Sequence, residues 1–258
     1  MRERSSISLP NQCAILMLLI AFLSGGCQAD NASSISAESG TSTPATATQS
    51  PTLLPELLVI AVPEGKPIAI DGVFSPGEWD GAEIESFSDG SDLLLMYSEG
   101  YLYLGIRANT PEMVAGNVFI DRGDQIAILH VSAALGTALY ERGEDGWYQT
   151  QEFAWRCRNT GYSDQAQAER DAFLEEERWV SVNGRMGTPN ELEYQIEITD
   201  ETLRLAVNFI RGSAPNVKVY WPSDLDDDCI LPTPGGLPTH MQFSPATWAT
   251  ITFPDSEK

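Results

Sequence analysis

The sequence predicts an all-β fold, an antiparallel β-sandwich with one short surface helix, and three features point to it. From residue 56 onward, apolar and polar residues alternate with a period of two, as they do in strands that bury one face. Short runs of this kind recur between turn residues, the pattern of sandwiches and barrels rather than of parallel α/β sheets. One stretch, Asp164 to Glu177, is instead rich in helix formers and opens on a residue able to cap a helix.

In chain order, the first strand is expected at Leu57 to Val62. Leu93 to Tyr97 and Tyr101 to Arg107 read as a hairpin, closed by Ser98-Glu99-Gly100 with glycine at a positive φ. Further strands are expected at Gln125 to Val131, Trp147 to Cys157, Trp179 to Val182, Glu191 to Ile198, Val217 to Trp221 and Thr247 to Phe253. Glu191 to Ile198 alternates most regularly, which predicts its Leu, Tyr and Ile side chains on the core side and its acids and glutamine in water. No repeat or linker interrupts residues 56–254, so they are read as one domain, followed by a short tail at 255–258.

The chain begins with two arginines within four residues, followed by an uncharged apolar run from Cys13 to Leu23. That run is too short for the roughly 20 residues of a membrane span and fits the core of an export signal. Leu23-Ser24-Gly25-Gly26-Cys27 resembles the lipobox of bacterial lipoproteins, with the leucine one place further from the cysteine than in the commonest pattern. The resemblance implies a signal peptide over 1–26, acylation of Cys27, for example by palmitate, and anchoring to a cell membrane or cell surface. An ordinary secretory signal is the alternative. Residues 28–55 contain 20 Ser, Thr, Ala, Pro or Gly among 28, so 27–55 reads as a lipidated cysteine followed by a flexible tether spanning roughly 30 Å.

Thirty-seven acidic against 15 basic residues give a formal net charge of -22, which argues against nucleic acid as a partner because phosphate recognition relies on Lys and Arg. With Cys13 and Cys27 assigned to signal and anchor, Cys157 and Cys229 remain. An even pair in an exported protein suggests a disulfide, with two free thiols as the alternative. In the chain-entropy treatment such a bridge, closing about 70 residues, stabilises by about 4 kcal/mol.

Ile68-Ala69-Ile70-Asp71-Gly72-Val73-Phe74-Ser75-Pro76-Gly77-Glu78-Trp79 resembles the opening of family 9 carbohydrate-binding modules and their DOMON-like relatives. Tyr101 to Ile106, Glu193 to Ile198 and Trp248 to Phe253 are similar to later strands of that family, so the resemblance covers about residues 67–254. It implies a β-sandwich, commonly non-catalytic, that often binds sugars and in some branches haem. It also implies that Trp79 packs inside.

Candidate ligand residues are Trp147, Tyr148, Trp155, Tyr220 and Trp221, whose rings lie near Glu144, Asp145, Arg156 and Arg158. Sugar sites need that mixture, because flat rings cover the apolar faces of pyranoses while charged groups fix the hydroxyls. Neighbouring strand residues face opposite ways, so at most half of these rings can share one cleft. Ordinary core and scattered surface aromatics are the alternative. Asp224, Asp226 and Asp228 have the spacing that opens a calcium loop, but Cys229 and Gly235 stand where an EF-hand has Gly and Glu. A looser calcium site, aided by Asp121 or Asp124, and a solvated acidic loop both stay open. His130 and His240 lack zinc-ligand spacing, and His240-Met241 would be a poor haem pair, since neighbours in a strand diverge. No nucleophile elbow or cofactor loop is visible, which favours a binding protein over an enzyme. Arg122-Gly123-Asp124 matches an adhesion tripeptide and is read as a turn.

Overall fold

A computed structural model of the chain describes residues 57–157, 163–184, 187–222 and 237–254, with the backbone alone over 215–217. The expected signal, Cys27, the expected tether, Arg158, Cys229, the aspartates at 224, 226 and 228, and residues 255–258 lie outside the described residues. The described elements are β1 (Val59–Ala61), β2 (Glu83–Ser86), β3 (Asp92–Ser98), β4 (Tyr101–Arg107), β5 (Val114–Asp121), β6 (Gln125–Val131), β7 (Leu135–Arg142), β8 (Trp147–Gln151), α1 (Asp164–Glu177), β9 (Trp179–Asn183), β10 (Glu191–Glu197), β11 (Thr202–Arg211), β12 (Ala214–Trp221), β13 (His240–Met241) and β14 (Ala249–Thr252).

They form an all-β sandwich of two sheets with one helix. The large sheet runs β1-β14-β11-β5-β6-β7-β8-β13, and the smaller runs β2-β3-β4-β10-β9. The long β11 pairs β5 along one edge, while its other edge is shared by β14 near its start and β12 near its end. Strands β5, β7 and β11, which sequence patterning did not single out, supply much of the middle of the large sheet. Their apolar runs are buried on both faces, so they do not alternate cleanly.

Between the sheets lies the main core, including Leu93, Leu95, Leu104, Val118, Leu129, Leu192, Tyr194, Val207 and Trp221. A second apolar layer covers the outer face of the large sheet, where Phe119, Ile126, Ile128, Tyr140 and Trp147 meet Phe243 and Trp248. The predicted helix forms over the expected residues, capped by the Ser163 hydroxyl, which accepts from the Ala166 N–H. Its Phe173 packs edge-on against Trp179. The β3–β4 hairpin turns at Glu99 and Gly100, both at positive φ (52° and 85°).

Two expected strand bounds are corrected. The eighth strand ends at Gln151, because Phe153 and Trp155 both settle over Gly136, whose missing side chain admits them, and the chain rejoins β7 only at an Arg156–Leu135 bridge. The last strand begins at Ala249, since Pro245 opens a 3₁₀ turn through Thr247.

The third correction concerns β10. Leu192, Tyr194 and Ile196 face the core as predicted, but Glu191 and Glu193 are buried instead of solvated. The segment ahead of β2 folds back over the outer face of the small sheet, placing Trp79 in a satellite core with Ile68, Leu94, Met96 and Tyr103. That cover brings backbone N–H groups to the two acids. Glu193 Oε2 accepts from Asp71 at 2.9 Å and Gly72 at 2.7 Å, and Glu191 Oε2 accepts from Phe74 at 3.0 Å. Glu78 closes the same loop, accepting from Ala69 and Ser75. Gly72 is needed at the tightest point: its φ is 76°, and a Cβ would meet the Asn183 carbonyl at 2.8 Å.

Burial pushes the Glu193 carboxyl up to about 8, with the two N–H bonds opposing and the Glu78 and Asp71 charges assisting. Between pH 4.5 and about 8 the folded chain therefore holds a proton that the unfolded chain has released, and stability from this group falls as pH rises through that window. Glu193→Gln keeps an acceptor for both N–H groups and has no proton to lose. Thermal melts at pH 5 and pH 8 are expected to show a larger loss for wild type than for Glu193→Gln; equal losses would refute the buried protonated carboxyl. Glu193→Ala, which strands both donors, is expected to lower stability by about 2 to 4 kcal/mol at either pH.

Candidate functional site

Pleat parity on the large sheet divides its outer face into an apolar end and a polar end. Phe119, Ile126, Ile128 and Tyr140 occupy the first. Two residues along from Phe119 and Ile128, the same face carries Asn117 and His130, and β11 adds Asn208 two residues beyond Ala206. The strand register sets these three side by side, with Asn208 opposite Asn117 and Asn117 opposite His130. Tyr220 of β12 stands opposite Asn208 and extends the row.

The row is bonded in a defined direction. Asn117 Nδ2 donates to Asn208 Oδ1 at 2.7 Å, which leaves Asn117 Oδ1 facing His130 Nδ1 at 2.8 Å. A carbonyl oxygen only accepts, so the imidazole proton sits on Nδ1. Burial pushes the His130 pKa down to about 4, so the ring is neutral at physiological pH and Nε2 presents a lone pair. That nitrogen has no partner among the described residues. Beside it stand Trp155, edge-on to the imidazole with ring centres 5.1 Å apart, and Phe153, whose ring lies 4.8 Å from Trp155. Trp155 is 38% exposed. The arrangement sets a partly exposed indole against a fixed acceptor held from behind by two amides; His130 itself is only 5% exposed, so the Trp155 ring is what this site chiefly presents to solvent, and a flat apolar face with a hydroxyl donor beside it suits such a pair.

The predicted ligand residues divide. Trp147 (3% exposed) and Trp221 (2%) are core residues and cannot form an open platform: Trp147 donates its N–H to the Phe243 carbonyl, and Trp221 faces the inter-sheet core. Tyr220 lies on the outer face in the amide row. Tyr148 is 44% exposed but sits at the β7–β8 turn, where its hydroxyl donates to Asp145 Oδ1 at 2.5 Å and its ring lies against His240, tilted by 51° with centres 4.8 Å apart. Tyr148 is opposite Glu141 on β7 and Trp155 lies over Gly136, so roughly 16 Å of strand separates the two exposed rings. They do not share a cleft. Arg156 turns to α1, pairing with Glu176 and Glu177 and lying over the Phe173 ring, which makes it a clamp on the helix.

Other predicted groups fare as follows. His240 is exposed and Met241 buried, facing opposite sides of β13, so they cannot ligate one haem iron together. Asp121 accepts from Gly123 N and lies 3.9 Å from Arg204, and no cluster of three metal-ligating side chains occurs among the described residues. The three aspartates proposed for calcium lie outside them. Cys157 carries a thiol that donates to the Glu169 carbonyl at 3.3 Å, while its expected partner Cys229 is not among the described residues.

No family model matches the chain, and no curated protein does either. A crystal structure from Bacteroides uniformis described as that of a "putative carbohydrate-binding protein" is similar at 12% identity and a TM-score of 0.43, covering 76% of this chain and 99% of that one.

The neutral imidazole yields a prediction. Between pH 6.5 and about 4 the folded chain binds fewer protons than the unfolded chain, so stability from His130 is lost as pH falls through that window. His130→Gln can still donate to Asn117 and does not titrate. Denaturant midpoints at pH 7 and pH 4.5 are expected to drop further for wild type than for this variant; an equal drop would mean the imidazole is not desolvated.

Proposed function

We propose that the chain is a non-catalytic, lipid-anchored envelope protein whose β-sandwich binds carbohydrate on the outer face of its large sheet, around Trp155 and His130. The observation that carries this reading is the exposed Trp155 ring beside an imidazole acceptor whose tautomer is dictated by the Asn117–Asn208 row. Sugars offer what this surface can use, an apolar ring face for stacking and a hydroxyl to donate to Nε2. The likeness of Ile68 to Trp79 to family 9 modules and DOMON-like domains supports the same class of ligand. Anchoring through Cys27 and the tether over 28–55 would hold the sandwich off a membrane surface.

A second reading, a structural or protein-interaction lipoprotein without a small ligand, draws on the burial of Trp147 and Trp221, which leaves one open ring at this site. A glycan array separates the two. Wild type is expected to bind a subset of glycans, Trp155→Ala to weaken that binding by about tenfold or more, and Tyr148→Ala, at the far end of the sheet, to leave it intact. Absence of any glycan signal from folded wild type favours the second reading.

A further inference from the structure

Asp-Gly occurs four times in the sequence, at Asp71-Gly72, Asp80-Gly81, Asp89-Gly90 and Asp145-Gly146. Glycine has no side chain to screen its amide nitrogen, so each pair brings that nitrogen within reach of the preceding carboxyl carbon. The fold restrains three of them. Gly72 N–H donates to Glu193 Oε2 at 2.7 Å, and Asp71 Oδ1 accepts from Val73 N–H at 3.0 Å. Gly90 N–H donates to the Phe87 carbonyl at 3.0 Å, while Asp89 accepts from Ser91 N–H and pairs with Arg211. Asp145 accepts from the Tyr148 hydroxyl, and Gly146 is packed so closely that a Cβ would fall 2.4 Å from His240 Nε2. Asp80-Gly81 differs from all three. Both residues are exposed, neither the Asp80 carboxylate nor the Gly81 N–H has a hydrogen-bond partner among the described residues, and nothing lies within 4 Å of where a Gly81 Cβ would stand.

We propose that Asp80-Gly81 is a site of spontaneous isoaspartate formation that unseats Trp79. The Gly81 nitrogen attacks Cγ of the Asp80 carboxyl in its protonated form; the Cγ–N bond forms, and the carboxyl hydroxyl leaves as water with the amide proton, giving a succinimide. Water then adds to the main-chain carbonyl of that ring and breaks its bond to nitrogen. The chain is now joined through Cγ, with one methylene more in the main chain, and the former main-chain carbonyl is a free carboxylate. One water leaves and one enters, and no other reactant is needed. The added methylene falls in the turn that Ala82 N–H closes on the Trp79 carbonyl at 3.1 Å. Trp79 Nε1 has no partner among the described residues, so packing over Gly105 and that turn hold the indole in the satellite core.

The full chain, aged at pH 6 and 37 °C both folded and in concentrated urea, provides the test, with isoaspartate located by peptide mapping and electron-transfer fragmentation. In the folded chain isoaspartate is expected at Asp80 in excess of each other Asp-Gly pair by about tenfold or more, since those pairs must first give up a hydrogen bond or a packed position. In urea the four pairs are expected to react at similar rates. Asp80→Glu, whose longer side chain would have to close a six-membered ring, is expected to stay intact at this position, and aged wild type to melt about 2 °C or more below the aged variant. The proposal fails if folded Asp80 stays unmodified, if a restrained pair matches it, if the preference survives in urea, or if aged wild type melts no lower than aged Asp80→Glu.

Discussion

Covering a β-sheet on both faces is the constraint from which this architecture follows. The large sheet buries one face against its partner sheet and much of the other beneath the segment carrying Phe243 and Trp248, and the small sheet is roofed in turn by the segment carrying Trp79. Wherever a polar side chain falls on such a face, it must find a partner or destabilise the fold by several kcal/mol. Asn117, Asn208 and His130 meet that demand sideways, through one another. Glu191 and Glu193 meet it outward, through the N–H groups of the loop that covers them, although Glu193 does so with Oε2 alone and its buried Oε1 has no partner among the described residues.

The two solutions have different consequences. Around Glu193 the carboxyl group is enclosed, so it acts on the fold by fixing a turn and by titrating out of its usual range. Around His130 the bonded row stops at a nitrogen without a partner among the described residues, beside the partly exposed Trp155 indole, and it is there that the proposed recognition surface lies. Their effects on stability also run in opposite directions with pH, the imidazole favouring neutral over acidic conditions and the carboxyl favouring acidic over alkaline ones.

Much of the fold was legible because local chemistry and tertiary context agreed. Tyr101–Arg107, Gln125–Val131 and the helix at Asp164–Glu177 occur with the predicted bounds. Strands buried on both faces were harder, since Val-Ala-Gly-Asn-Val-Phe-Ile carries no period that separates inside from outside. The acids of β10 were misplaced because alternation reports which residues share a face and not whether a loop later covers it. The amide row was invisible for a related reason: Asn117, His130 and Asn208 are 13 and 91 residues apart in sequence pairs, and only register joins them. An asparagine inside an otherwise apolar strand was the available signal, present at both Asn117 and Asn208. Among the tryptophans, ring type alone could not distinguish Trp155, over a glycine at the surface, from Trp147 and Trp221 in the core.

Nitrogen-15 NMR of the His130 imidazole across pH, with and without a glycan that the protein binds, tests most directly whether the amide row creates the recognition surface. The predicted result is a neutral ring at pH 7 with its proton on Nδ1, titrating near pH 4, whose Nε2 resonance moves when the glycan is added. A ring protonated on Nε2, a titration at the ordinary 6.5, or glycan binding that leaves the imidazole undisturbed would contradict it.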